Sequence, residues 1–120
     1  MWRTGTKKKI EYDCIIEFLK QATQHEHEIV LGTDSQPFNS GTFLVSVIAV
    51  LCNNQEYHCR YFYLEHKERP RHHNLYDRIF SEAQSTIEIA CQITDTIPHA
   101  NISIHLDVSS EKTSHKTGRF

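Results

Sequence analysis

The sequence has few glycines and lacks the glycine-rich motifs that hold nucleotides. It contains four glycines among 120 residues, and neither a P-loop nor a GxGxxG segment occurs. The GxSxG segment of serine hydrolases is also missing. These absences leave no motif-based support for a nucleotide-binding enzyme or for a serine hydrolase.

Long apolar runs and paired cysteines are missing as well. No run approaches the roughly 18–20 residues that a membrane helix needs, and the basic residues 7–9 lead into an amphipathic segment, so we predict no signal peptide. Cys14, Cys52, Cys59 and Cys91 show no CxxC spacing, and each lies within or beside an apolar stretch. We therefore predict buried thiols in a reducing cytoplasm.

The chain also lacks a strong charge of either sign. The formal net charge is −2, which is not the basic bias of a nucleic-acid coat protein. Positive charge is nevertheless concentrated in residues 65–71 and 112–119. Phosphate contact, with Lys112 and Lys116 as substrate-binding residues, is the functional interpretation. A solvated loop is the alternative, and we prefer it for these segments.

Hydrophobic periodicity predicts one α/β domain over residues 1–120 that begins with a basic arm at 1–9. Apolar residues at helical spacing predict helices at 10–24 and at about 73–97. In the second helix the predicted buried stripe consists of Tyr76, Ile79, Phe80, Ala83, Ile87, Ala90 and Ile93. Strands are predicted at 29–35, 42–51, 56–66 and 102–108. The first three are close enough to form an antiparallel meander, and the fourth is expected to lie parallel to the first, which should be central.

Two of these strands share a pattern. The segments IVLGTD and ISIHLD both begin with isoleucine and reach an aspartate five residues later. In matched parallel register, Asp34 and Asp107 would stand side by side at the carboxyl ends of the strands, where α/β proteins form binding sites. Two neighbouring carboxylates repel, and a hard cation such as Mg²⁺ or Mn²⁺ resolves the repulsion.

Glu82 on the second helix is the candidate third carboxylate. It borders the predicted apolar stripe, and with Asp34 and Asp107 it would complete the ligand set of a two-metal phosphodiesterase. Each residue also has a structural interpretation. Asp34 fits a turn, Asp107 fits a turn or a helix cap, and Glu82 alone fits a solvated helix position.

Three further residues are predicted to assist at this site. His105 lies two residues before Asp107 and hence on the same strand face, where it would support the ligands or carry a proton. A hydrogen-bonded core histidine is the alternative. Ser35 and Gln36, next to Asp34, are expected to orient substrate or water.

The segments IVLGTDSQ, DRIFSEAQSTIEIA and IHLDV, with a hydrophobic hairpin after the first, resemble the ribonuclease-H-like YkuK family over roughly residues 10 to 118. The resemblance implies a mixed sheet of order 3-2-1-4-5 with helices on both faces. It also implies that Asp34, Glu82 and Asp107 hold Mg²⁺ or Mn²⁺ for phosphodiester cleavage of nucleic acid.

The sequence departs from that family after HLDVSSEKTSHKTGRF, where relatives continue with a helix, a fifth strand and a last acidic position. We therefore expect the fifth strand to be absent, leaving an exposed sheet edge through which copies of the chain would associate. Two functions follow. One is a metal-dependent nuclease, and the other is a catalytically inactive module that binds nucleic acid or a protein.

Overall fold

The computed structural model describes residues 1–38, 41–51, 60–68 and 75–106. These residues form a mixed sheet with two helices. The elements are β1 (Trp2–Thr4), α1 (Tyr12–Gln24), β2 (Glu28–Phe38), β3 (Gly41–Leu51), β4 (Arg60–Glu68), α2 (Leu75–Thr96) and β5 (Asn101–His105).

The predicted meander and the parallel strand are confirmed. The sheet order is β1-β4-β3-β2-β5, with β2 and β3 antiparallel, β3 and β4 antiparallel, and β2 and β5 parallel. The register of β2 and β5 runs from Glu28 opposite Asn101 to Gly32 opposite His105. It therefore aligns the two isoleucines that begin the matching segments, as the sequence pattern predicts.

The prediction that the sheet has no fifth strand is wrong, because the amino-terminal segment contributes one. Trp2 pairs with Leu64 of β4 and Thr4 pairs with Phe62, so part of the predicted basic arm is the edge strand β1. The Trp2 ring lies 6.4 Å from the ring of Tyr12 and packs against the core, which gives this short strand an apolar anchor.

Both described helices lie on one face of the sheet, whereas helices on both faces were predicted. Ile29 and Leu31 of β2 are buried opposite Val50 and Ile48 of β3, and these residues share one apolar cluster with α1 and α2. The residues between them on each strand are only partly buried, as β3 shows by alternating from Thr42 to Val50. We call the two surfaces the helix face and the open face.

Helix α1 buries a short apolar stripe and ends where the sequence predicts. Its buried residues are Ile15, Ile16, Leu19 and Ala22. Glu26 adopts a positive φ of 59°, and the backbone N–H of His27 donates to the carbonyl of Ala22 at 2.9 Å. This C-terminal arrangement satisfies the last carbonyls and turns the chain into β2.

Helix α2 buries the predicted residue Ile93 but otherwise turns a different stripe toward the sheet. Tyr76, Phe80 and Ile87 are exposed. The side of α2 that faces the sheet buries Glu82, Thr86, Ile89 and Ile93. The prediction followed hydrophobicity alone, and it missed that the sheet beneath the first half of α2 offers polar partners.

The cysteine prediction is wrong for two residues. Cys14 and Cys91 are exposed free thiols, and Cys52 and Cys59 lie outside the described residues. Among the helices described, neither has the length and hydropathy that crossing a membrane requires.

Candidate metal-binding site

Asp34 lies near the carboxyl end of the interior strand β2. Its neighbours Thr33 and Ser35 are buried on the helix face, so strand alternation places the Asp34 side chain on the open face, where it is exposed. Gln36 shares that face, and its side-chain amide donates to the Asp34 carboxylate at 3.3 Å. An exposed carboxylate in this position is accessible to a cation from solvent.

Glu82 reaches the same part of β2 from the other side of the strand. Its side chain is buried, and Oε2 accepts a hydrogen bond of 3.0 Å from the backbone N–H of Ser35 and another from the Ser35 hydroxyl. Both bonds use Oε2, and Oε1 accepts none within the part of the chain that is described. The alternative prediction of a solvated Glu82 is therefore wrong.

Arg78, one helical turn before Glu82, supports this contact from the same face of α2. Its Nε lies 3.2 Å from Ser35 Oγ, and its Nη2 donates to the Ser35 carbonyl at 3.1 Å. Ser35 is fully buried, so its hydroxyl engages these two helix residues and does not face solvent. The serine that the sequence assigned to substrate thus holds Glu82 in place in this conformation.

The pKa of Glu82 is raised above its ordinary value, first because burial disfavours the charged carboxylate. The negative charge of Asp34 raises it further, whereas the hydrogen bonds from Ser35 and the positive charge of Arg78 lower it. Glu82 thus contacts Ser35, the neighbour of Asp34, while the two carboxylates lie on opposite faces of β2.

A row of hydroxyl groups extends from Glu82 beneath α2. Thr86 Oγ1 donates to the Glu82 carbonyl at 2.9 Å and bonds to Thr33 Oγ1 at 2.8 Å, and Thr33 bonds in turn to Ser46 Oγ at 2.9 Å. All of these groups are buried, and each has a partner. The row fixes the height and rotation of α2 over β2 and β3, and with them the position of Glu82.

Ser46 also lines a cleft between α2 and the sheet. The cleft has a volume of about 370 Å³. Its walls include Ser85, Glu88 and Gln92 from α2, and His66 from β4. It lies on the helix face, on the flank of α2 that looks toward β3 and β4.

His105 is exposed at the end of β5, opposite Gly32. The register and the alternation place it on the open face with Asp34, so the alternative of a core histidine is wrong. A Cβ added at Gly32 would lie 3.3 Å from the His105 carbonyl oxygen, a tight contact. Glycine at this position thus permits the close pairing that brings β5 beside the carboxyl end of β2.

Three predicted site residues, Asp107, Lys112 and Lys116, lie outside the described residues. The pairing of Asp34 with Asp107 therefore stays a prediction, which the β2–β5 register supports up to His105. Within the ranges that the structure covers, no group of three or more His, Cys, Asp and Glu side chains is placed to hold a metal ion.

The two described carboxylates have the donor chemistry that a hard divalent cation requires. Glu82 keeps one carboxylate oxygen without a hydrogen-bond partner in the described part of the chain, and Asp34 is exposed. Their mutual repulsion is the situation that a bound cation relieves. The donor chemistry of these two side chains therefore suits such an ion.

Sequence reasoning missed Arg78 and Thr86. Both lie four residues from Glu82, so helical spacing puts all three on one face of α2. That spacing was a usable signal once Glu82 had been singled out. Nothing in the sequence indicated that Arg78 and Glu82 would share Ser35 as a partner, or that Thr86 would bond to Thr33.

Comparison with known proteins gives one family. No curated protein and no solved structure matches the sequence significantly. A family model described as Ribonuclease H-like matches residues 11–118, which is most of the chain. The chain belongs to the ribonuclease H-like family.

Proposed function

We propose that this protein is a nuclease that depends on a divalent metal ion and cleaves phosphodiesters of nucleic acid. Asp34 and Glu82 would hold Mg²⁺ or Mn²⁺, and Asp107 would complete the ligand set. The observation that carries the proposal is the approach of Glu82 to Ser35, directly beside Asp34 at the carboxyl end of β2. Membership of the ribonuclease H-like family supports the same reaction class.

Each side chain has a distinct task in this proposal. Asp34 offers an exposed carboxylate on the open face, while Glu82 offers a carboxylate that Ser35 and Arg78 hold from the helix face. When bound, the cation would lower the pKa of a coordinated water and stabilise negative charge on the phosphate. His105, exposed on the open face beside Gly32, would assist by carrying a proton during cleavage.

Substrate contacts are proposed for the basic residues and for Gln36. Gln36 is exposed on the same face as Asp34 and bonds to it, so it would orient a water or a phosphate oxygen there. Lys112 and Lys116 would contact the phosphate backbone. A member of the YkuK branch of the family, working on nucleic acid in the cytoplasm, is the finer assignment that we propose.

The test is a cleavage assay with end-labelled single strands, duplexes and RNA–DNA hybrids in Mn²⁺. Wild type is expected to cleave at least one of these substrates, and Asp34→Asn is expected to lose that cleavage. Glu17→Gln, an exposed acidic position on α1, is the matched control and should retain it. Cleavage that persists in Asp34→Asn would refute the proposed ligand.

A catalytically inactive module is the second candidate, and one observation favours it. Glu82 Oε2 is fully engaged by Ser35, and Arg78 offsets its charge, so this carboxylate also serves to fasten α2 to β2. In that case the chain would bind nucleic acid or a protein without cleaving it. Retarded migration of a labelled oligonucleotide, with no products in Mn²⁺, would identify this function.

A further inference from the structure

Helix α2 carries a second apolar stripe on the surface that it does not bury against the sheet. Tyr76, Phe80 and Ile87 are exposed by 85%, 70% and 49%. The stripe continues through partly buried Ala83 and Ala90 to Thr94. We call these residues the outer stripe. It consists of Tyr76, Phe80, Ala83, Ile87, Ala90 and Thr94.

The spacing of the outer stripe is that of a helix-pairing surface. Successive members are separated alternately by four and three residues, which is the repeat that keeps one seam facing a partner helix. None of its positions is charged. The hydroxyl of Thr94 bonds to the carbonyl of Ala90 at 2.8 Å within its own helix, so its polar group is satisfied and its methyl group is available for packing.

The outer stripe lies on the β5 side of α2. At 100° per residue it occupies the flank opposite Ser85, Glu88 and Gln92, which border the cleft on the β3 and β4 side. Beyond β2 on that side lies only β5 in the described sheet. Ile104 shares the helix face with Leu31, and with Leu106 it exposes further apolar surface there, by 41% and 44%.

Side-chain sizes along the outer stripe are unevenly distributed. The large rings of Tyr76 and Phe80 stand at its amino-terminal half, and the small side chains of Ala90 and Thr94 stand at its carboxyl-terminal half. A second α2 laid antiparallel would oppose Tyr76 to Thr94, Phe80 to Ala90, and Ile87 to Ala83. Every pair then joins a large side chain to a small one, which close helix packing favours. A parallel arrangement would oppose ring to ring and leave gaps between the small residues.

We propose that two copies of this chain associate through the outer stripe, with their α2 helices antiparallel. The twofold axis would cross the stripe midway between Ala83 and Ile87. The contact is isologous, because the same patch meets itself and each pair of residues occurs twice. Ile104 and Leu106 lie at its margin, where the partner helix would shield them. This dimer differs from association by strand pairing alone and does not depend on nuclease activity.

Sedimentation velocity over a micromolar concentration series tests the association. The wild-type chain is expected to sediment as a dimer. Phe80→Glu and Ile87→Glu are each expected to give monomers with unchanged far-ultraviolet circular dichroism, because each would bury a charge in the seam. Asp95→Lys changes an exposed α2 residue outside the stripe and should leave the dimer intact.

A cross-linking experiment tests the antiparallel orientation without depending on destabilising variants. Gln84→Cys, in a chain whose native cysteines are serine, places one thiol beside the twofold axis and should give a covalent dimer with a short bismaleimide. Asp95→Cys would place the two thiols on the order of 30 Å apart at 1.5 Å per residue and should not. The proposal would be overturned by a wild type that is monomeric, or by a dimer that Phe80→Glu and Ile87→Glu leave intact. Cross-linking through residue 95 in place of residue 84 would also overturn it.

Discussion

Glu82 on α2 accepts a hydrogen bond of 3.0 Å from the backbone N–H of Ser35, the residue that follows Asp34 on β2. The contact fastens the helix to the strand at the point where the family's metal site is expected. It places a desolvated carboxylate within electrostatic reach of an exposed one. Stability and the proposed chemistry therefore depend on the same few side chains.

The raised pKa of Glu82 makes the stability of the fold depend on pH. Between its ordinary value of 4.5 and its higher value in the folded state, the folded chain binds more protons at this residue than the unfolded chain does. Stability is therefore expected to fall as pH rises through that window. Urea unfolding as a function of pH measures it, with wild type compared with Glu82→Gln.

The Gln variant isolates the contribution of Glu82, because the other carboxyl groups titrate in both proteins. The pH-dependent loss that begins above 4.5 is expected to be smaller in Glu82→Gln than in wild type. Glu17→Gln on α1 is the control and should keep the wild-type profile. Equal slopes for wild type and Glu82→Gln would contradict the desolvation of Glu82.

Asp34→Asn is expected to lower the pKa of Glu82, since it removes a negative charge that raises it. Arg78→Met is expected to raise the pKa further, since it removes a positive charge. The carboxyl ¹³C chemical shift of Glu82, followed by NMR against pH, reports both changes. Shifts in the same direction for the two variants would be inconsistent with the geometry.

Thr86→Val should destabilise the fold by roughly 1 to 2 kcal/mol, because it leaves the buried Thr33 hydroxyl without one of its partners. Thr96→Val also removes a hydroxyl from α2, but from an exposed position, and should cost less than about 0.5 kcal/mol. Chemical denaturation gives both values. Similar losses for the two variants would mean that the buried row of hydroxyls contributes little.

Gly32→Val is expected to loosen the pairing of β5 with β2, because the added Cβ would lie 3.3 Å from the His105 carbonyl oxygen, which must then shift by a few tenths of an ångström. A destabilisation of roughly 1 to 3 kcal/mol is expected from such overpacking. Hydrogen exchange should show faster exchange of the β5 amides, with α1 protected as before. Unchanged protection in β5 would show that the strand shifts without cost.

The sequence predicted the parallel register of β2 and β5, because a six-residue segment at each strand begins with isoleucine and ends in aspartate. Ile29 aligns with Ile102, and that register follows directly from IVLGTD and ISIHLD. It did not predict β1, since three residues beside a basic cluster carry almost no strand signal and their pairing with β4 is long-range.

The orientation of α2 was predicted incorrectly for a physical reason. The helix has two apolar stripes, and the one with Phe80 and Ile87, which the prediction chose, is exposed. The buried one includes Glu82 and Thr86, whose polar groups are satisfied by Ser35 and Thr33. Hydrophobic periodicity within the helix carries no information about hydrogen-bond partners on a strand some fifty residues earlier in the sequence.

The central claim is that Asp34 and Glu82 bind one divalent cation site, and Mn²⁺ titration followed by NMR tests it most directly. Paramagnetic broadening is predicted first for the amides of Asp34, Ser35 and Glu82, and it should be lost in Asp34→Asn but kept in Glu17→Gln. Uniform weak broadening in wild type, or selective broadening that Asp34→Asn leaves unchanged, would contradict the account.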